Sequence, residues 1–217
     1  QTGTDISDYK FNAENGQGKK DYILKVPMPN VYNGKYTKND GSAGKMYAND
    51  AIKEMKNSES SIASFICEPI IGCAGQVCLP KGYLKAVYSA VRAQGGVCIS
   101  DEVQTGFGRL GEAFWGFQIH DVIPDIVVIG KPMANGHPIG AVITTNKIAE
   151  SFNNGVEFFS SFGGNPISCA IGLSVLEVIE EEDLQKNAKD VGEYYISILK
   201  KLQEKHKCIG DVRGRGL

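Results

Sequence analysis

Short apolar runs alternate with polar or glycine-rich segments from about residue 60 onward, and this alternation predicts strands and helices in turn. Four of the runs are too short for helices, so we predict buried strands at Ile62–Cys67, Val97–Ser100, Asp125–Ile129 and Ile139–Thr144. Helices or long loops separate these runs. Strands that are apolar on both faces and spaced in this way favour a largely parallel α/β sheet.

Apolar residues three or four positions apart predict three helices in the same part of the chain. The first covers 82–94 and ends at Gly95-Gly96. The second begins at Pro166, with Asn165 as its N-cap, because these residue types favour a helix start. The third runs from about Asp183 to about Glu204.

Residues 1–60 show little periodicity and predict an irregular lead-in. The stretch Asn30–Gly44 is rich in Asn and Gly, so we predict a loop there and only a short helix at Asp50–Asn57. The chain begins at Gln1 without an initiator Met, and it stops at Leu217 just after a glycine-rich turn. We therefore expect it to be part of a longer protein.

Charge and composition narrow the function classes. The chain carries 23 Lys and Arg against 25 Asp and Glu, so its net charge of −2 gives no basic excess for nucleic acid or an anionic membrane. No stretch reaches the roughly 18 apolar residues of a membrane helix, and the polar N-terminus predicts no signal peptide. The six cysteines form no C-x-x-C pair, so we expect no metal site and a reducing, cytoplasmic setting.

Polar residues at two predicted strand ends suggest a ligand site. Asp101 follows the second strand and Lys131 follows the third, and ligands in open α/β sheets bind at the carboxyl ends of strands. The two residues form either a structural salt bridge or two poles of a pyridoxal phosphate (PLP) site, where an amine and a carboxylate are needed. Ser160-Ser161 before Gly163-Gly164 would then help to hold a phosphate.

A literal motif offers a competing interpretation. The segment from Gly106 to Gly111 satisfies G-x-G-x-x-G and follows a strand, as in dinucleotide-binding folds. Such a motif must open a helix, however, and the next residues, GEAFWGFQIHDVIPD, contain no clean helix start. The dinucleotide interpretation is therefore the weaker one.

Three longer motifs carry a family resemblance. Residues 100–109 (SDEVQTGFGR), 130–138 (GKPMANGHP) and 160–166 (SSFGGNP) resemble the signature blocks of the class III PLP-dependent aminotransferases, in the family's order. Glu68-Pro69 and the closing GDVRG also fit that pattern. The resemblance covers essentially the whole chain and is weakest before residue 60. It implies fold type I, with a partial large domain over 1–182 and the start of a C-terminal small domain over 183–217.

The resemblance also implies roles for single residues. Lys131 is similar to the lysine that binds PLP as a Schiff base and moves the substrate proton, and Asp101 to the partner of the pyridinium nitrogen. Val103 resembles the residue packed on the ring, and Gln104 the donor to its phenolic oxygen. Ser161 aligns with a hydroxyl that contacts the phosphate of a neighbouring subunit's cofactor, which implies a homodimer. The cofactor-binding set is completed by Glu68.

The resemblance implies an enzyme that moves an amino group from an amino acid or amine to a keto acid or aldehyde. The chain is similar to both the alanine–glyoxylate aminotransferase and the amine phospho-lyase branches, and a non-catalytic module of a longer protein remains a third possibility. Cys73 stands where ω-amino-acid enzymes tend to carry a glutamate, which argues against ornithine or aminobutyrate. Arg213 and Arg215 are weak candidates for binding a substrate carboxylate. We expect the 217 residues alone to bind PLP poorly.

Overall fold

Six strands form two sheets in the computed structural model, which describes residues 2–37 and 41–217. In chain order they are β1 (Ser64–Cys67), β2 (Ile70–Ile71), β3 (Val77–Cys78), β4 (Val97–Asp101), β5 (Ile126–Ile129) and β6 (Ala141–Thr144). The main sheet has the order β1-β4-β5-β6, and β2 pairs with β3. The first three strands of the main sheet run parallel and β6 runs antiparallel to β5, so the expected mainly parallel sheet is confirmed.

Helices make up the rest of the regular secondary structure in the described residues. In chain order they are α1 (Thr2–Asp5), α2 (Asp8–Phe11), α3 (Ala43–Asn57), α4 (Tyr83–Ala93), α5 (Asn146–Phe152), α6 (Pro166–Glu181) and α7 (Leu184–Lys205). Two 3-10 helices lie between strands, at Gly116–His120 and Lys131–Ala134. Across residues 2–37 and 41–217, no helix combines the length and the apolar character that crossing a membrane requires.

The helix α3 begins well before the predicted start at Asp50, so that prediction was wrong. Its first turns hold small residues, which made the stretch resemble a loop, yet Tyr47, Ala48 and Ala51 are buried at helical spacing. Gly44 lies against the backbone of Lys81, where a side chain would clash. Close packing therefore requires the small residues that hid the helix. Residues 38–40 of the predicted loop lie outside the described part.

One hydrophobic cluster holds the sheet and its covering helices together. Helices α3 and α4 pack against each other, and α4 packs on β1 and β4. The cluster is rich in tyrosine and alanine, and its most buried members are Tyr47, Ala48, Ala51, Tyr83, Leu84, Val87, Tyr88, Val91 and Cys98. Asp125 fixes the start of β5, because its carboxylate accepts the N–H of Cys98 at 2.7 Å and pairs with Arg92.

The hairpin β2–β3 was not predicted, since its strands have two residues each and show no periodicity. It occupies the segment after Pro69, which contains Gly72 and Gly75. Its turn contains Gln76 in the left-handed region, at φ 54°. The hairpin places Cys73 beside the carboxyl edge of the main sheet, where the predicted site lies.

Candidate active site at the carboxyl edge of the sheet

Three parallel strands deliver polar residues to one edge of the sheet. Glu68 directly follows β1, Asp101 ends β4, and Lys131 follows β5 after Gly130. The register pairs Cys67 with Ser100 and Asp101 with Val128, so the strands end at nearly the same level. The parallel topology thus gathers three residues that are 33 and 30 positions apart in sequence.

The turn after β4 shapes the centre of this edge. The Oδ1 atom of Asp101 accepts the backbone N–H of Val103 at 3.0 Å. The side chain of Val103 lies beside Gly130, with its methyl carbons 3.8 and 3.9 Å from where a Cβ would stand on that glycine. Next along the chain, Gln104 directs its amide Nε2 to the Sγ atom of Cys73 at 3.5 Å. A carboxylate, an apolar surface and an amide donor therefore occur in four consecutive residues.

Lys131 has an unusual backbone conformation for a residue with a side chain. Its φ is 35°, in the left-handed region, although it precedes Pro132, which favours extended backbone in the residue before it. Such a conformation costs about 1–3 kcal/mol and is concentrated at functional sites. The Lys131 side chain is exposed, and its backbone starts the 3-10 helix Lys131–Ala134. The structure thus presents an accessible amine from a strained position.

Glu68 shapes the neighbouring turn rather than pointing into open solvent. Its Oε2 atom accepts the N–H of Gly72 at 2.8 Å, which closes the turn between β1 and the hairpin. Burial raises the pKa of the Cys67 thiol to about 12, and the nearby charges of Glu68 and Asp101 add to that rise. The two carboxylates therefore add negative charge to this edge of the sheet.

The third motif lies at the start of α6 and is connected to the lysine loop by side chains. Asn165 caps α6 by accepting the N–H of Ser168 at 2.9 Å. The hydroxyl of Ser168 is 2.7 Å from Nε2 of His137, which belongs to the loop after Lys131. Ser161 itself is exposed, and within the described part of the chain its hydroxyl makes no hydrogen bond to the other five predicted site residues.

The glycine motif at residues 106–111 serves packing instead of opening a helix. Residues 103–110 are turns, and α7 approaches them closely. A side chain on Gly108 would meet Gln185, and one on Gly111 would meet the backbone of Lys189. Gly106 lies against the ring of Trp115. The dinucleotide interpretation therefore lacks the helix that it requires.

Sequence reasoning missed the role of Glu102, although it lies next to Asp101. Its side chain is fully buried and accepts four hydrogen bonds. A signal was present, because alternation along β4 puts Cys98, Ser100 and Glu102 on the buried face. It also missed His120, whose Nε2 lies 2.9 Å from the carbonyl oxygen of Pro69. Burial lowers the pKa of His120, which favours the neutral ring.

The two arginines near the C-terminus already have carboxylate partners. Arg213 pairs with Asp211 at 3.0 Å, and Arg215 pairs with Glu112. Arg213 also lies over the ring of Tyr32, with 5.3 Å between the guanidinium and the ring centre. Both side chains therefore hold the closing segment on the rest of the chain, which weakens their candidacy for substrate binding.

Comparisons with known proteins agree on one family. The model of the family "Aminotransferase class-III" matches residues 9–217. The Drosophila melanogaster protein named "Alanine--glyoxylate aminotransferase 2-like" is 48% identical over 225 residues, covering 100% of this chain and 45% of that protein. The Homo sapiens protein named "Alanine--glyoxylate aminotransferase 2, mitochondrial" is 57% identical over 157 residues, covering 72% of this chain and 30% of that protein.

A solved structure gives the same answer for the fold. A phospholyase from Arthrobacter in complex with phosphoethanolamine superposes with a TM-score of 0.80 at 38% identity, covering 93% of this chain and 47% of that one. The chain belongs to the class III aminotransferase family and has its fold type I architecture. The cofactor of this family is pyridoxal 5′-phosphate. The chain spans about half the length of the first relative and of the solved structure.

Proposed function

We propose that this chain supplies the cofactor-binding centre of a PLP-dependent aminotransferase. The enzyme would move an amino group from an amino acid or amine to a keto acid or aldehyde. The observation that carries the proposal is the shared strand edge, where Asp101 ends β4 and Lys131 follows the neighbouring parallel strand β5 in a chain of this family. The similarity to two relatives named as aminotransferases supports the same activity.

The residues at this edge fit PLP by their donor chemistry. The cofactor has a basic ring nitrogen, a flat apolar face, a phenolic oxygen and an aldehyde. Asp101 offers a carboxylate for the nitrogen, Val103 an apolar surface for the ring, and Gln104 an amide donor for the oxygen. Lys131 offers the accessible amine. Gly130 leaves the space beside Val103 free of a side chain.

Each side chain would have a separate chemical task. Bound PLP supplies an electron sink for negative charge at the substrate α-carbon. Asp101 would hold a proton on the ring nitrogen, because a nearby carboxylate favours the charged form of a base. Lys131 would bind the cofactor through its amine, and its Nζ would accept and return the proton of the substrate α-carbon. Val103 orients the ring, and Glu68 keeps the adjoining turn closed by holding Gly72.

We further propose a homodimer in which Ser161 contacts the phosphate of the partner's cofactor. Exposed aromatic side chains lie within three positions of that residue in the chain, namely Phe158, Phe159 and Phe162. Clustered exposed apolar groups mark protein interfaces. Light scattering of the natural protein measures the dimer directly.

We also propose a domain boundary at 182/183, because Asp183 turns the chain between α6 and α7 with a φ of 52°.

The cofactor proposal is tested by absorbance. The natural protein should show the visible absorbance band of PLP bonded covalently to an amine, and Lys131→Ala should lose that band because the amine is gone. Lys147→Ala removes an exposed lysine on α5 and should keep the band. A band that persists in Lys131→Ala would contradict the assignment of Lys131. A natural protein without any band would favour the non-catalytic module.

A second function is favoured by the structural comparison. The Arthrobacter phospholyase is 38% identical, and its structure contains phosphoethanolamine. A phospho-lyase would use the same edge to eliminate phosphate from an amine substrate. Assays of the natural protein for phosphate release from phosphoethanolamine and for pyruvate formation from alanine separate the two activities.

The choice of amino donor is narrowed by the hairpin. Cys73 stands where ω-amino-acid enzymes tend to carry glutamate, and it lies next to Gln104 at the proposed cofactor site. We therefore propose that ornithine and aminobutyrate are poor substrates. Comparing their turnover with that of alanine checks this.

The cellular compartment stays a prediction. The six free cysteines support a reducing, cytoplasmic setting, whereas one relative is named as mitochondrial. Imaging of the tagged natural protein decides between these compartments.

A further inference from the structure

We propose that Glu102 is a positioning residue that sets where Asp101, Val103 and Gln104 stand, without touching the cofactor itself. The inference deepens the proposed function and rests on it. It assigns the buried carboxylate a role in PLP affinity and in the protonation of bound PLP.

The carboxylate of Glu102 is enclosed by donors. Its side chain is 0% exposed. Its Oε1 accepts the hydroxyl of Ser100 at 3.1 Å and the N–H of Phe117 at 2.8 Å. Its Oε2 accepts the hydroxyl of Thr105 at 2.7 Å and the N–H of Gly116 at 2.8 Å. A carboxylate only accepts hydrogen bonds, so this set of four donors matches it and offsets its burial.

These bonds fix one short turn from both sides. The hydroxyls of Ser100 and Thr105 lie before and after Glu102 in the chain, and the two N–H groups start the 3-10 helix Gly116–His120. The backbone of Glu102 is held as well, because its N–H donates to the carbonyl oxygen of Val128 on β5 at 2.9 Å. Its own carbonyl accepts the N–H of Gly106 at 3.0 Å. Residue 102 is therefore anchored to β5 and to the loop over 105–117.

The anchoring determines the direction of the neighbouring side chains. Alternation along the strand turns Asp101 to the face opposite Glu102. The Oδ1 atom of Asp101 then accepts the N–H of Val103 at 3.0 Å, and this hydrogen bond joins the two residues that flank the anchored Glu102. A shift of Glu102 would move all three proposed cofactor contacts together. Since Coulomb energy depends on distance, it would also change how strongly Asp101 favours a proton on the ring nitrogen.

The substitution Glu102→Gln tests the donor set with almost no change of shape. The amide oxygen of Gln can replace one carboxylate oxygen, but the amide NH₂ must face the other pair of donors. Each pair contains one backbone N–H, from Phe117 or from Gly116, which cannot turn round to accept. One donor therefore meets another donor in either orientation. Glu102→Asp keeps an acceptor-only carboxylate on a shorter side chain and serves as the partial rescue.

The controls come from the same loop. Glu112→Gln changes a glutamate ten positions away that is exposed and pairs with Arg215. It should behave as wild type, since exposed ion pairs contribute little. Thr105→Val removes one donor to Glu102 while keeping the side-chain shape, and it is measured alongside because Glu102→Gln risks misfolding.

A first readout needs no cofactor. Trp115 is the single tryptophan of the chain, it packs on Gly106, and it precedes the N–H groups that bind Glu102. Its fluorescence in PLP-free protein should shift in Glu102→Gln, less in Glu102→Asp and Thr105→Val, and not in Glu112→Gln. An unchanged spectrum in Glu102→Gln would overturn the proposed anchoring.

The second readout is PLP binding to the natural protein. We expect Glu102→Gln to weaken PLP affinity about tenfold, the size of one unmatched buried donor, and to shift the pH midpoint of the absorbance band. Glu102→Asp should recover part of both. Wild-type affinity and midpoint in Glu102→Gln and Thr105→Val, with altered Trp115 fluorescence, would show a structural role alone and overturn the inference. A wild-type protein that binds no PLP would instead overturn the proposed function, and this inference with it.

Discussion

Two regions with similar apolar patterns bury their side chains to very different extents. In the sheet region, residues 43–144, the 11-residue helix α4 buries Tyr83, Leu84, Val87, Tyr88 and Val91. In the helical region, residues 145–217, the 16-residue helix α6 buries only Ser168 and Gly172. Apolar periodicity therefore predicts which face of a helix is to be covered, but it does not identify what covers it.

The difference follows from what each helix meets. Helix α4 lies between α3 and the strands β1 and β4, so its apolar face contacts three elements. Helix α6 meets the 3-10 helix Lys131–Ala134 and α7, and its remaining apolar side chains stay exposed. The exposed set includes Ile167, Leu173, Leu176 and Val178. Self-contained packing thus belongs to the sheet region, whereas α6 leaves most of its apolar side chains exposed.

The largest expected effect comes from the same substitution in both regions. Leu84→Ala should lower the free energy of unfolding by about 2–5 kcal/mol, because Leu84 is 1% exposed and leaves a cavity. Leu173→Ala, at a residue that is 61% exposed, should change it by less than about 0.5 kcal/mol. Urea unfolding of the 217-residue chain measures both. Equal losses would break the comparison and show that α6 is covered.

A smaller difference in the free energy of unfolding is expected between substitutions of two tyrosines, one in each region. The Tyr47 hydroxyl donates to the carbonyl oxygen of Asn30 at 2.8 Å and accepts the N–H of Tyr36 at 3.0 Å, at a residue that is 0% exposed. Tyr47→Phe leaves both backbone groups unmatched and should cost about 1–3 kcal/mol. Tyr194→Phe, on the exposed side of α7, should cost less than about 0.5 kcal/mol. The urea midpoints compare them. A neutral Tyr47→Phe would mean that the core tolerates unpaired groups.

The smallest perturbation is a comparison of thiol labelling at two native cysteines, because it changes no residue. Burial raises the pKa of Cys98 to about 12, and its side chain is fully enclosed, whereas Cys208 is exposed. Because the thiolate is the reactive form, a thiol reagent near neutral pH should label Cys208 rapidly and Cys98 only after unfolding. Mass spectrometry of labelled peptides reports each site. Rapid labelling of Cys98 without denaturant would show that the sheet region opens.

The proposed site illustrates how much of a functional site can be predicted from residue patterns. Three short motifs and the strand-end rule predicted that Asp101 and Lys131 belong to one edge, and the parallel register brings their strand ends together. The hairpin β2–β3 and the first turns of α3 escaped prediction. Two-residue strands carry no period, and small residues that pack closely resemble a loop in composition.

The connections between motifs also escaped prediction. His137 lies in the loop after Lys131, and its contact with Ser168 joins that loop to the start of α6. Glu102 lies next to Asp101 in the sequence, but its four hydrogen-bond donors come from two segments, Ser100–Thr105 and Gly116–Phe117. Contacts between distant segments depend on the path of the chain, which a local pattern does not contain.

By itself, the sequence determined the alternation of strands and helices, the mainly parallel sheet, the family and the residue types at the strand ends. These properties follow from local periodicity and from short motifs with fixed spacing. Only the tertiary structure decided which donors bind the carboxylate of Glu102, how the backbone of Lys131 is strained, and which apolar helix face is covered. Those properties depend on packing between segments far apart in the chain, where burial and hydrogen-bond partners are set together.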